Sequence, residues 1–232
     1  MISVCIATYN GESYIAAQLQ SIAAQLSPDD EIIISDDGST DSTLCIIDSL
    51  DIPNIKVFHH KCMGHSAANF EYALKQAQGE YIFLSDQDDC WCSNKVKVMT
   101  CALKDHACVV SDCYITDQNL NIIHDSFYST SGTHFTRWQN LLLRNGYLGC
   151  CMAFRREVLR KALPFPQSIP MHDIWIGNIA AMFFDVTFLP DKLIYYRRHG
   201  QNATPTGGDS VSTLWQKITY RWNIIINLIR CL

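Results

Sequence analysis

Four short apolar runs, "ISVCIA" (2–7), "EIIIS" (31–35), "IKVFHH" (55–60) and "EYIFLS" (80–85), set the plan of this chain. Stretches with helical spacing separate them: Ile15, Leu19, Ile22 and Leu26 follow the first run, and Phe70, Ala73, Leu74 and Ala77 precede the fourth. An apolar run without alternation fits a strand buried on both faces, and a helix between two such runs carries the chain back across the sheet. The pattern predicts an α/β domain with a mostly parallel central sheet flanked by helices. In such sheets ligands gather beyond the carboxyl ends of the strands. Three polar clusters fall there: "TYNGE" (8–12), "DDGSTD" (36–41) and "DQDD" (86–89).

Asp86 and Asp88 alternate on extended backbone, so both can face one side while Asp89 turns away. Two carboxylates on one side repel unless a cation or hydrogen-bond donors neutralise them. Their oxygens suit a hard cation such as Mg²⁺ or Mn²⁺. The alternative is an acidic turn that caps the next helix. In the second cluster Gly38 suits a turn and Ser39, Thr40 or Asp41 a helix cap. That leaves Asp36 and Asp37, at the strand end, to accept from a base N–H or a ribose hydroxyl. Tyr9 offers a flat face for a nucleobase.

The second half is less regular. "ACVVSDCYI" (107–115) reads as a strand pair or a bent strand, and "GCCMAFRREVLRKAL" (149–163) as a strand entering a helix. Residues 171–184 read as a loop feeding an apolar helix, and 186–202 as a strand pair followed by a basic segment. Residues 203–210 have linker composition. Beyond them Leu214, Trp215, Ile218, Trp222, Ile225, Ile226 and Ile229 share a wide apolar face, with Lys217, Arg221 and Arg230 as cations. That pattern fits a helix lying on the inner membrane face, or one packed on the domain or on a second subunit of a homodimer. The expected division is a catalytic domain over 1–202, a linker over 203–210 and an amphipathic helix over 211–232.

Composition narrows the partners. A net charge of −5 argues against nucleic acid, which calls for clustered Lys and Arg. The first residues read as a strand instead of a secretory signal, and no apolar run reaches the length of a membrane span. Eleven cysteines, with Cys5, Cys45, Cys101, Cys108 and Cys113 in apolar segments, predict buried free thiols in a reducing, cytoplasmic setting. Their spacing fits no structural zinc site.

Six segments in order, "CIATYNG", "ISDDGSTDST", "YIFLSDQDDCW", "GCCMAFRREVL", "MHDIWI" and "YYRRHGQN", resemble family 2 glycosyltransferases of the GT-A fold. The likeness is closest to the bacterial branch that builds surface polysaccharides and includes rhamnosyltransferases, and it runs from about residue 2 to residue 202. It implies a Rossmann-type GT-A sheet and an inverting, metal-dependent transfer from a UDP- or dTDP-sugar to a glycan acceptor, lipid-linked in that branch. By the same resemblance Thr8, Tyr9 and Glu12 line the nucleotide pocket, Asp36 bonds the base with Asp37 nearby, and Asn69 stands on the donor side. Asp86 approaches the ribose, Asp88 holds Mn²⁺ or Mg²⁺ with His199 completing the site, and Asp173 is the general base. Much of the family has Arg before the Asn matched by Asn69, where this chain has Ala68; Lys61, Arg197 or Arg198 would then supply the cation. Residue chemistry gives His172 a place orienting donor or acceptor, or a local structural one, and makes Trp175 core or acceptor platform. The rival readings are a sugar nucleotidyltransferase, whose Gly-rich basic loop is replaced here by the acidic, aromatic "TYNGE", and a non-catalytic nucleotide-sugar binding module.

Overall fold

The computed structural model describes residues 1–60, 64–133, 136–143, 145–200 and 214–232. The expected linker and Lys61 lie outside the described residues. The first half alternates as expected: β1 (Ile2–Thr8), α1 (Ile15–Ala23), β2 (Glu31–Asp36), α2 (Thr43–Ser49), β3 (Ile55–His59), α3 (Ser66–Gln76) and β4 (Tyr81–Asp86). β1 pairs in parallel with both β2 and β4, and β2 with β3. Val4, Cys5, Ile6, Ile33, Ile34, Phe83 and Leu84 are all fully buried, so these strands are covered on both faces.

After β4 come β5 (Cys90–Trp91), α4 (Lys95–Ala102), β6 (Cys108–Thr116), β7 (Ile122–His124), α5 (Phe127–Ser131), α6 (Arg137–Leu142), β8 (Met152–Arg155) and α7 (Arg156–Ala162). α8 (His172–Phe183), β9 (Val186–Arg197) and α9 (Leu214–Arg230) complete the described chain. One sheet holds every described strand, in the order β3-β2-β1-β4-β8-β6-β9-β5, with β7 on β6. β8 lies antiparallel between β4 and β6, so the sheet is parallel on one side and mixed on the other.

Two expectations change here. Residues 186–197 form one strand, not a pair: its register against β6 jumps from Leu189 opposite Ser111 to Lys192 opposite Asp112. Pro190 and Asp191 bulge out between them, because proline has no N–H to give the ladder. Among the cysteines, Cys5, Cys108 and Cys113 are buried as expected, whereas Cys45 and Cys101 are exposed on helices.

Register places the polar clusters. Thr8 pairs with Asp36 and Ala7 with Asp86, so three strands deliver their last residues to one edge. α8 arrives at the same edge from the other half of the molecule.

Candidate active site

The loops after β1 and β2 brace each other. Asn10 sits in the left-handed region at φ 48°, which asparagine tolerates, and its Oδ1 accepts from Thr40 N at 2.9 Å. Ser39 Oγ accepts from Asn10 N, and Asp41 Oδ2 accepts from Glu12 N. Glu12 in turn accepts from Ser42 N at 2.9 Å beside the start of α2, where a carboxylate satisfies an orphan N–H.

Beyond the strand ends lies a cleft of about 430 Å³, within the range of small-molecule sites. Thr8, Tyr9, Asp37, Asn69, Asp86, Asp88 and Asp173, seven of the ten residues expected at the site, line it together. The other three are placed differently. Glu12 is the cap just described. Asp36 is fully buried and accepts from Thr8 Oγ1, Ser39 Oγ, Ser39 N, Gly38 N and His59 Nδ1, so its oxygens are committed within the protein. Asp37 is the carboxylate of this pair that faces the cleft. His199 stands behind the lining, its ring stacked 4.8 Å from Tyr14 and its Nε2 2.8 Å from Asp88 Oδ2.

The aspartate loop is pinned from several sides. Asp89 Oδ1 accepts from Arg197 N at 3.0 Å, and Arg197 Nε donates to Asp88 O at 2.7 Å. Gln18, buried on α1, donates to Ser85 Oγ at 2.6 Å and Asp86 O at 3.0 Å. Gln87 brackets the backbone of Tyr9, accepting from its N–H at 2.9 Å and donating to its carbonyl at 3.1 Å. Below the loop Lys95 is fully buried, donates from Nζ to Cys150 O at 2.5 Å and sits 4.4 Å over the Trp91 ring. Burial, then the neighbouring Asp88 charge, pushes Asp86 up to about 8 and holds Asp89 well above the usual carboxylate range.

Two groups of side chains offer themselves to a metal ion. Asp86, Asp89 and Cys150 bring ligand atoms within 4.8 Å of one another, but a thiol suits a softer metal than Mg²⁺ or Mn²⁺. Asp88 and His199 fit the hard ions better: their 2.8 Å O···N separation is close to the ~3 Å edge between adjacent ligands of an octahedral Mg²⁺ site. Arg197, one of the cations considered in place of the missing Arg, spends its guanidinium on Asp88 O and Gln118 O and stacks over Tyr14.

Asp173 holds the opposite side of the cleft, in the first turn of α8. Its Oδ2 accepts from Gly149 N at 3.1 Å and its Oδ1 from Ile174 N at 2.7 Å. Burial outweighs these bonds and raises it from 3.8 to about 6. His172 beside it stacks on Phe70 at 3.8 Å, lines the cleft and is pushed down to about 3 by burial, so the ring is neutral at physiological pH. Neither of its ring nitrogens meets a partner among the described residues, which argues against the local structural reading of this histidine. Trp175 is core, with Nε1 donating to Ala162 O.

Sequence reasoning passed over Gln87 and Lys95. Gln87 was only the spacer of an Asp-x-Asp pattern, and Lys95 opens a helix whose other lysine, Lys97, is exposed. Nothing in residue spacing separates those two lysines.

The Glycosyl transferase family 2 model matches residues 3–163, which is more than half of the chain. The chain belongs to glycosyl transferase family 2. It is 32% identical to an uncharacterised glycosyltransferase of Nostoc sp. over 91% of this chain and 69% of that protein. It is 29% identical to the dTDP-rhamnosyl transferase RfbG of Shigella flexneri, over 85% of this chain and 72% of the relative. A third relative, 26% identical over 72% of this chain and 64% of its own length, is the UDP-Glc:alpha-D-GlcNAc-diphosphoundecaprenol beta-1,3-glucosyltransferase WfgD of Escherichia coli. In fold the chain matches S. aureus TarS in complex with UDP-GlcNAc at TM-score 0.70 and 21% identity, over 91% of this chain and 62% of that one. The mannosyltransferase PcManGT of Pyrobaculum calidifontis in complex with GDP-Man and Mn²⁺ gives 0.65 at 20% identity, over 99% and 64%. This family 2 chain therefore has the GT-A fold and spans about two thirds of the length of these proteins. Members of the family generally use a divalent metal ion.

Proposed function

We propose that this chain transfers a sugar, with inversion, from a UDP- or dTDP-sugar to a hydroxyl of a lipid-linked glycan during bacterial surface polysaccharide assembly. The observation that carries this reading is the cleft itself: Tyr9, Asp37, Asp86 and Asp88 line it together with Asp173. Tyr9 and Asp37 take the nucleoside, with Thr8 and Asn69 behind them, and Asp86 faces the ribose. Mn²⁺ or Mg²⁺ held by Asp88 and His199 would supply positive charge to the departing diphosphate. Asp173 accepts the proton of the acceptor hydroxyl as that oxygen bonds the anomeric carbon and the bond to the diphosphate breaks. With a base near 6, the carboxylate is the form present at neutral pH.

The dTDP alternative draws on RfbG and the UDP alternative on WfgD. The diphosphoundecaprenol in the name of WfgD supports a lipid-linked acceptor here. We assign catalysis to the region that ends with β9 and its following loop, and place the chain, with α9, on the cytoplasmic face of the membrane. No described helix is long and apolar enough to cross a membrane.

A thermal-shift screen of UDP-, dTDP- and GDP-sugars with and without Mn²⁺ tests the reading. One UDP- or dTDP-sugar should stabilise the chain, and more so with the metal. Stabilisation by GDP-sugars alone, or by none of the three, would sink it.

A further inference from the structure

α9 is apolar on two faces. Ile224 and Leu228, each 3% exposed, pack it onto the domain beside α8, and Asn227 Nδ2 donates to Ser168 Oγ at 3.1 Å. Lys161 Nζ fastens the end of the helix by donating to Cys231 O at 2.6 Å. The opposite face carries Trp215, Ile218, Trp222 and Ile229, spaced three, seven and fourteen residues from the first and 48–78% exposed. Packing on the domain therefore accounts for only one of the two faces.

The exposed stripe does not end with α9. Arg221 donates to Leu143 O, joining α9 to the end of α6, where Trp138, Leu142 and Leu143 are 50–60% exposed. Charge is segregated at the same place. In a chain of net charge −5, α6 and α9 contain Arg137, Arg221 and Arg230 and no Asp or Glu. Exposed tryptophans and leucines among cations, with acids excluded, match the headgroup region of an anionic bilayer.

We propose that α6 and α9 together form a docking face for an anionic lipid bilayer, set against the first turn of α8. A crevice of about 130 Å³ between these elements is lined by Leu141, Tyr220 and Ile224 and by Pro170 and Ile174. Ile174 follows Asp173, so the first turn of α8 borders both this crevice and the cleft that holds the base. The purpose of this arrangement rests on the lipid-linked acceptor proposed above: a glycan held at the bilayer would reach Asp173 from the side where α6 and α9 lie.

Flotation of the chain in a density gradient tests this face without donor or acceptor, so its outcome is separate from that of the nucleotide-sugar screen. The chain should rise with vesicles of equal parts phosphatidylcholine and phosphatidylglycerol, and much less with phosphatidylcholine alone. Trp222→Ser and Trp138→Ser should each weaken partitioning about tenfold with unchanged unfolding midpoints. Val57→Ser, an exposed apolar site on β3 at the far edge of the sheet, should leave it unaltered. Absence of flotation overturns the proposal, and so does equal flotation with both vesicles. An unaffected Trp138→Ser variant would remove α6 from the face. A dimer in sedimentation that Trp222→Ser abolishes, without flotation, would assign the face to a second copy of the chain.

Discussion

At the end of β4 three aspartates crowd into four positions, while across the cleft Asp173 stands in the first turn of α8 with two backbone N–H groups as donors. The crowded group meets Arg197, His199, Gln18 and the buried Lys95. Burial, then repulsion from neighbouring carboxylates, still raises Asp86 to about 8. Asp173 is raised to about 6 by burial before anything else. The contrast suits two tasks: crowded carboxyls ionise together only when a cation relieves their repulsion, and a single desolvated carboxylate accepts a proton.

The largest effect that would break this contrast is on turnover. Asp173→Asn should lower kcat about 10³-fold while leaving nucleotide affinity nearly intact, read from steady-state kinetics beside calorimetry with UDP or dTDP. In the unmutated chain kcat/KM should rise with pH and level off above about 6, because the ionised carboxylate is the active form. A profile flat from pH 4 to 8 would deny Asp173 the role of base. Asp88→Ala should act on the other side of the cleft, removing the Mn²⁺ dependence of nucleotide binding. Metal-dependent affinity that survived this change would exclude Asp88 as a ligand.

Next in size is stability. Lys95→Met strips the buried Cys150 O of its donor and should cost about 2 kcal/mol in denaturant unfolding at pH 7. Asp173→Asn should do the opposite. A carboxyl raised from 3.8 to about 6 contributes stability that is fully present below about 4 and lost as pH rises through 6. The amide does not ionise, so the variant should exceed the parent by up to about 3 kcal/mol at pH 7, and the gap should close near pH 4.

The two regions also differ in how far they could be read from residues alone. β1, β2 and β4 were legible because strands buried on both faces are unbroken apolar runs, and their polar ends mark the ligand edge. β9 was misread because "LPDK" has the composition of a turn, and only pairing with β6 turns it into a bulge within one strand. Within the site, sequence order names Asp36 and Asp37 together. Which of them faces the cleft is decided by tertiary donors, since Thr8, Ser39 and His59 all converge on Asp36. Lys95 and His172 are of the same kind, their roles set by what lies above them in space.

Gln87 gives the smallest predicted effect and ties the crowded cluster to the nucleoside side of the cleft. Its amide makes two bonds to the Tyr9 backbone, at 2.9 and 3.1 Å, while its neighbours in sequence are Asp86 and Asp88. Tyr9 is half-exposed, so little else packs its ring, and the peptide bracket sets where the ring points. Gln87→Ala should leave the fold intact and weaken nucleotide binding by about 1 kcal/mol, roughly fivefold, by calorimetry. Gln87→Glu keeps the acceptor for Tyr9 N–H but loses the donor to Tyr9 O and adds a fourth carboxylate to the loop. It should therefore bind nucleotide more weakly than Gln87→Ala without metal, and recover when Mn²⁺ neutralises the added charge. If both variants behaved alike at every metal concentration, the bracket would be a feature of loop packing alone, and the link between the aspartates and the base platform would be lost.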